Sequence, residues 1–146
     1  MTTIRRLKPA DEAAWRGLWT GYLDFYKEPG LPEAVTASTF QRLNGDSRFF
    51  AFVAERGGAI IGFVHCVTHP ATWSQSDYCY LEDLFVSAEA RGAGAGRALI
   101  EAAYSEAAER GCAKVYWLTQ EGNATARLLY DNLASLSGFV HYQRKL

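Results

Sequence analysis

The sequence predicts a mixed α/β (α+β) fold in one domain over residues 1–146, and three observations predict it. Two apolar, β-rich runs, "FFAFVAE" and "AIIGFVHCVT", flank Arg56-Gly57-Gly58, a hairpin signal that calls for antiparallel strands. Further on, a strand-like run hands over through glycines to an alanine-rich helix and then to another strand, a β-α-β crossover that implies a parallel pair. Ahead of both stand two segments of helical periodicity.

In chain order, "TIRRL" (Thr3 to Leu7) reads as a short strand that Pro9 ends. From Asp11, placed as a cap, Trp15, Leu18, Trp19, Tyr22, Leu23 and Tyr26 recur at helical spacing and give an amphipathic helix with an aromatic face. "KEPGLPE" breaks it, and Pro32 to Asn44 forms a weaker helix that stops at Asn44-Gly45. The hairpin follows. A polar loop around "HPATWSQSD" then leads into the strand "YCYLEDLFV", Tyr78 to Val86. The next helix carries Leu99, Ile100, Ala103 and Ala107 on one side, runs to Arg110 and is stopped by Gly111. "KVYWLT" is a fifth strand, "NATARLLYDNLASL" a helix and "GFVHYQRK" a last strand. The pattern contains no repeat and no linker.

Composition removes several function classes. With 146 residues, 49% of them hydrophobic, and a net charge of -1, the chain reads as one ordinary globular unit. Its Lys and Arg residues are scattered, so a nucleic-acid groove has no support. No apolar run approaches the ~18 residues of a membrane span, and the N-terminus has no signal-type core. Cys66, Cys79 and Cys112 lack metal-type spacing and are expected reduced and buried, and His65, His69 and His141 lack it too. No metal and no membrane partner are expected, and the expected compartment is the cytoplasm.

The informative stretch is "ARGAGAGR". A helix N-terminus leaves its first amides unpaired and carries partial positive charge, so it holds an anion if the backbone can approach closely. Gly92, Gly94 and Gly96 clear that approach around Ala93 and Ala95, and Arg91 and Arg97 add full charge suited to a diphosphate. Walker A fails, because no Gly-Lys-Ser/Thr ends the run. The dinucleotide fingerprint also fails, because Arg97 stands where its third glycine or alanine belongs.

What does match is R-x-x-G-x-G, through Arg91, Gly94 and Gly96, joined by Asn-x-x-Ala-x-x-x-Tyr, through Asn123, Ala126 and Tyr130. With these the chain resembles the acetyl-CoA-dependent N-acetyltransferase (GNAT) superfamily over nearly its whole length. "YLEDLFV" and "VYWLTQEGNATARLLYD" look most like the branch of yeast histone and D-amino-acid acetyltransferases, and the Leu-Glu-Asp strand is similar to that of polyamine acetyltransferases. The family's ending is altered here, since "DNLASLS" separates Tyr130 from Gly138-Phe139. The resemblance implies a mainly antiparallel central sheet with flanking helices and one parallel strand pair splayed to seat pantetheine. It also implies acetyl-CoA as cosubstrate, a small-molecule amine as acceptor, and a homodimer built on the last strand and its neighbouring helix.

The chemistry asks for a base, because an alkylammonium near pKa 10 is only about one part in a thousand free at pH 7. Glu82 and Asp83 are adjacent on a strand and so point to opposite faces. The resemblance favours Glu82 as general base, directly or through water, and leaves Asp83 to hold the substrate ammonium or a structural partner. It gives Tyr130 the role of protonating the departing thiolate, the N–H groups of Leu84, Phe85 and Val86 that of meeting the thioester oxygen, and Asn123 a bond to pantetheine. Tyr22, Phe25, Tyr26, Trp73 and Tyr78 are candidates to wall the acceptor site. Two other readings stay open: a protein or peptide N-acetyltransferase, and a non-catalytic acyl-CoA-binding regulatory module.

Overall fold

The computed structural model describes residues 1–146. Its core is a five-stranded sheet in which β1 (Thr2–Arg6), β2 (Phe49–Arg56), β3 (Ala59–His69), β4 (Tyr78–Val86) and β5 (Lys114–Tyr116) lie in chain order. The first three pairings are antiparallel and β4–β5 is parallel. Gly57 and Gly58 turn the β2–β3 hairpin, both with positive φ (58° and 80°), as the two-residue turn requires.

Strand alternation sends side chains to two cores, one on each face of the sheet. On one face α1 (Glu12–Phe25) and α2 (Glu33–Gly45) bury Trp15, Trp19, Phe40 and Leu43 against Val53 and Phe63. On the other, α3 (Ala95–Glu109) buries Leu99, Ile100, Ala103 and Ala107 against Phe50, Val64, Cys66 and Cys79. The short α4 (Ala124–Leu133) joins that second core through Leu129, Tyr130 and Leu133. Gly111, at φ 76°, ends α3 in the left-handed conformation. Gly62 allows β3 and β4 to approach, since a Cβ there would lie 2.7 Å from the Phe85 carbonyl oxygen.

Four expectations need correcting. Asp11 does not cap α1: its carboxylate accepts from the Lys8 N–H (2.8 Å) and the Arg5 guanidinium (2.9 Å) at the start of a 3-10 turn that precedes the helix. The fifth strand ends at Tyr116, short of the expected Thr119, because β4 and the chain after Tyr116 part company beyond the Tyr80–Tyr116 pair. The last helix stops at Leu133. The final strand does not form at all; residues 134–146 are exposed and carry no regular structure, since an extended segment becomes a strand only beside a partner.

Register supplies one further correction. His65 pairs with Asp83 and Cys66 with Leu81, so Glu82 is the extra residue of a β-bulge. Simple alternation along β4 is therefore broken: Leu81 and Leu84 pack in the α3 core, whereas Phe85 packs in the α1 core.

Candidate active site

Where β4 and the chain beyond β5 diverge, a cleft of about 250 Å³ opens. One wall is Leu81, Glu82 and Leu84, the opposite wall Trp117 to Gln120, and Tyr22, Tyr26 and Tyr130 close the ends. The backbone groups of residues 81–86 that point away from β3 have no strand partner, because the pairing with β5 has already ended at Tyr80.

Glu82 reaches this cleft as the bulged residue. Loss of water between the cleft walls raises its carboxyl above the ordinary carboxylate range, and the neighbouring charge of Asp83 adds to the effect. Tyr130, from α4, meets Trp117 edge-on with ring centroids 5.4 Å apart. Burial pushes its phenol up as well, so it keeps its proton through the neutral range.

Asp83 is fully engaged by protein partners. The Tyr22 hydroxyl donates to Oδ1 at 2.6 Å, and His65 Nδ1 lies 2.9 Å from Oδ2. Behind His65, the Trp15 indole N–H donates to Nε2 at 3.0 Å. An indole nitrogen only donates, so Nε2 must be the acceptor and Nδ1 the nitrogen that donates to Asp83. His65 stacks on Phe63 at 4.2 Å and is 2% exposed. Trp15, His65, Asp83 and Tyr22 thus form one chain of hydrogen bonds from the α1 core to the floor of the cleft. Burial and the Asp83 charge hold the Tyr22 hydroxyl far above its ordinary range, as a permanent donor.

The glycine turn lies beside the cleft. Gly92 and Gly94 take φ values of 86° and 83°, which L side chains rarely adopt, and Gly94 is the residue that opens α3. None of the backbone N–H groups of Gly92, Ala93, Gly94, Ala95, Gly96 or Arg97 donates within the protein; the first amide of the helix to do so is Ala98, to the Gly94 carbonyl at 3.0 Å. Gly96 is helical, with room for a Cβ 3.7 Å from Leu129, the residue next to Tyr130. Arg91 donates to the Val86 carbonyl (3.0 Å) and lies over the Phe25 and Phe85 rings, which ties the turn to the end of β4. Arg97 pairs with Glu101 at 3.0 Å along the exposed side of α3.

The structure brings together Glu82, Tyr22, Tyr26, Leu84 and Tyr130, with Asp83 beneath them. Asn123 opens α4, where its amide donates to the Thr119 hydroxyl at 3.4 Å, and Ala126 is half-buried one turn before Tyr130. Three candidates lie elsewhere. Phe25 is half exposed beneath the Arg91 guanidinium. Trp73 is 84% exposed in the β3–β4 loop, and Tyr78 packs against His69 and Tyr116 with Lys114 over its ring. Sequence reasoning missed Leu81, the wall from Trp117 to Gln120, and His65 with Trp15. For the wall, the signal was that "YWLTQ" follows a strand; for His65, no signal existed in the sequence. No group of His, Cys, Asp and Glu side chains is arranged to hold a metal.

Comparison with known proteins shows the family and the fold. The model of the "Acetyltransferase (GNAT) family" matches residues 15–134. The chain is 38% identical over 144 residues to the D-amino-acid N-acetyltransferase HPA3 of Saccharomyces cerevisiae, covering 97% of this chain and 89% of that protein. It is 33% identical over 141 residues to the uncharacterized N-acetyltransferase YhfO of Bacillus subtilis, covering 95% and 94%. Among solved structures, aminoglycoside acetyltransferase AAC(6')-Iy with the bisubstrate analog CoA-S-monomethyl-acetylneamine superposes with a TM-score of 0.87 at 22% identity, over 100% of this chain and 99% of that one. The ribosomal-protein-alanine N-acetyltransferase of Brucella melitensis biovar Abortus 2308 gives 0.84 at 23%, with both chains fully covered. At such identities the solved structures speak to the fold.

Proposed function

The chain belongs to the acetyltransferase (GNAT) family and is an N-acetyltransferase, and from that premise we propose that it moves acetyl from acetyl-CoA to a primary amine of a small molecule such as an amino acid or polyamine. The observation that carries the reading is the row of unpaired amides from Gly92 to Arg97 beside a cleft that holds Glu82 and Tyr130. Those amides suit a diphosphate, and the unpaired edge of residues 81–86 suits the amide-bearing pantetheine arm. Asn123 stands at the start of α4 to meet that arm.

Glu82 takes the proton of the substrate ammonium, directly or through one water. The free amine then attacks the thioester carbonyl, forming the C–N bond as the C–S bond breaks. N–H groups of Leu84 to Val86 meet the charge that develops on the carbonyl oxygen. The departing thiolate takes its proton from Tyr130, and the second proton, which the nitrogen sheds as it becomes an amide, returns to the Tyr130 oxygen. Asp83, held by His65 and Tyr22, keeps negative charge under the acceptor and favours cationic amines over neutral ones. HPA3, the yeast relative, is named for D-amino acids, which supports a compact amine acceptor. The enzyme acts in the cytoplasm, where its three free thiols stay reduced; no helix is long and apolar enough to cross a membrane.

The test is thiol release from acetyl-CoA across a panel of amino acids, polyamines and peptides, with Tyr130→Phe alongside. Turnover on small amines is expected. Turnover confined to peptides would make the chain a protein modifier, and CoA binding with turnover on no amine would make it a sensor.

A further inference from the structure

A phenol has one hydrogen to donate and two lone pairs to accept with, and in Tyr22 the fold has already committed the hydrogen. It goes to Asp83 Oδ1 at 2.6 Å. The arrangement is held from behind, because His65 Nδ1–H takes the other carboxylate oxygen at 2.9 Å and the Trp15 indole fixes the tautomer from Nε2 at 3.0 Å. The Tyr22 ring is held as well: it stacks on Trp19 at 5.4 Å and meets Phe63 and Phe85 edge-on at 5.7 and 6.0 Å. No protein donor reaches the Tyr22 oxygen, so its lone pairs stay free beside a cleft that the residue lines with Glu82 and Tyr130. The Asp83 side chain is only 14% exposed, which leaves Tyr22 as the group through which its charge is met.

Three oxygen groups therefore border one cleft, and a primary ammonium brings three N–H bonds. One proton goes to Glu82, and a second reaches the Tyr130 oxygen as the nitrogen becomes an amide. The third stays on nitrogen from substrate to product. It needs a partner that accepts a hydrogen bond without taking the proton. Tyr22 is that partner, since its oxygen is made electron-rich by the bond to Asp83 yet is far too weak a base to be protonated.

We infer, resting on the amine transfer proposed above, that the Tyr22 oxygen accepts the N–H that the substrate nitrogen keeps, with His65 and Trp15 as its positioning residues through Asp83, and that the site thereby selects primary over secondary amines. A secondary ammonium has two N–H bonds, and the reaction removes both. Its extra alkyl group stands against the Tyr22 oxygen and leaves it unpaired, which a site built around a hydrogen bond penalises. The N–H held at Tyr22 also stops the nitrogen from turning about its C–N bond and so aims the lone pair that Glu82 frees.

Each assay pairs whichever amine the chain turns over, small molecule or peptide, with its N-methyl counterpart, in the native chain and in Tyr22→Phe. The variant keeps the ring and its aromatic contacts. Its kcat/KM on the primary amine should fall roughly 10- to 100-fold, the worth of one hydrogen bond in a desolvated site, and on the N-methyl amine should not fall. An equal fall on both, or none on the primary amine, would overturn the role of Tyr22 and leave the proposed acetyl transfer standing; turnover on no amine would overturn both. For the positioning residues, His65→Asn offers an amide N–H in place of Nδ1–H and His65→Leu offers none. With native circular dichroism, His65→Leu should narrow the preference for the primary amine as Tyr22→Phe does, and His65→Asn should restore it. A native preference in His65→Leu would overturn the positioning role. Nitrogen NMR of the native chain, which needs neither turnover nor a variant, should show His65 protonated on Nδ1 alone, and a proton on Nε2 would overturn the chain of hydrogen bonds itself.

Discussion

Glu82 owes its position to an extra residue in β4, and its basicity to two neighbours of different kinds. Burial between the cleft walls is the larger cause of its raised carboxyl, and Asp83 is the second. Tyr80 and Tyr116, both pushed up in part by the Glu82 charge, stand on the same side. Because Glu82 must be ionised to take a proton, activity rises with pH through its pKa, so the acid limb of the pH profile lies above the usual carboxylate range. Replacing Asp83 by Asn removes a negative charge and moves that limb to lower pH, while burial keeps it from returning fully. A pH profile of kcat/KM checks this, and an unmoved limb would reduce Asp83 to scaffolding. Glu82→Gln should lower kcat by about 10²- to 10⁴-fold with CoA affinity kept, the range expected for a positioned base. Tyr130 was singled out in sequence by its spacing from Asn123, and Glu82 by the resemblance of its strand, and both line the cleft. The anchoring of Asp83 was not legible, since His65 and Trp15 stand fifty residues apart and meet only when α1 docks on β3. The bulge was equally hidden, because Glu82 and Asp83 read as plain alternation until the register with β3 is known.

At the scale of elements, the glycines that looked alike in "GAGAG" do different work. Gly94 is bound by backbone conformation: Gly94→Ala places a methyl at φ 83° and should cost about 1–2 kcal/mol, read as a lowered melting temperature. Gly96 is helical with ordinary space around it. Gly96→Ala should therefore leave the melting temperature unchanged or raise it, by at most about 1 kcal/mol of helix propensity. It should still weaken CoA binding, because a methyl crowds the free amides that a diphosphate would approach. Calorimetric titration with CoA beside thermal melts separates the two, and unchanged affinity in Gly96→Ala would remove Gly96 from the coenzyme contact. Element order through α4, and the boundaries as far as α3, were legible because helical and two-residue periods differ sharply in this chain. The end of β5 was not. "KVYWLT" is β-rich throughout, and only the divergence of two strands, a tertiary fact, unpairs Trp117.

Across the whole molecule, one sheet separates two aromatic and aliphatic cores, and the coenzyme contacts proposed here touch both faces through β4, α3 and α4. The final segment shows the limit of sequence reasoning at this scale: "GFVHYQRK" has the composition of a strand, but composition supplies no partner edge, and the segment carries no regular structure. A ligand held by the glycine turn, the β4 edge and the start of α4 binds only the assembled fold, since unfolding scatters all three. Mass action then fixes the consequence. At a hundredfold excess over its dissociation constant, CoA should stabilise the native state by about 2.7 kcal/mol. For a chain of this length each kcal/mol moves the melting temperature by about 4 °C, so a rise of roughly 10 °C is expected in a calorimetric scan. Adenosine alone, lacking the diphosphate and pantetheine, engages neither the amides of Gly92 to Arg97 nor the strand edge, and should produce little of that rise. A melting temperature indifferent to CoA, in protein with native circular dichroism, would mean that the unpaired amides at the head of α3 serve no coenzyme.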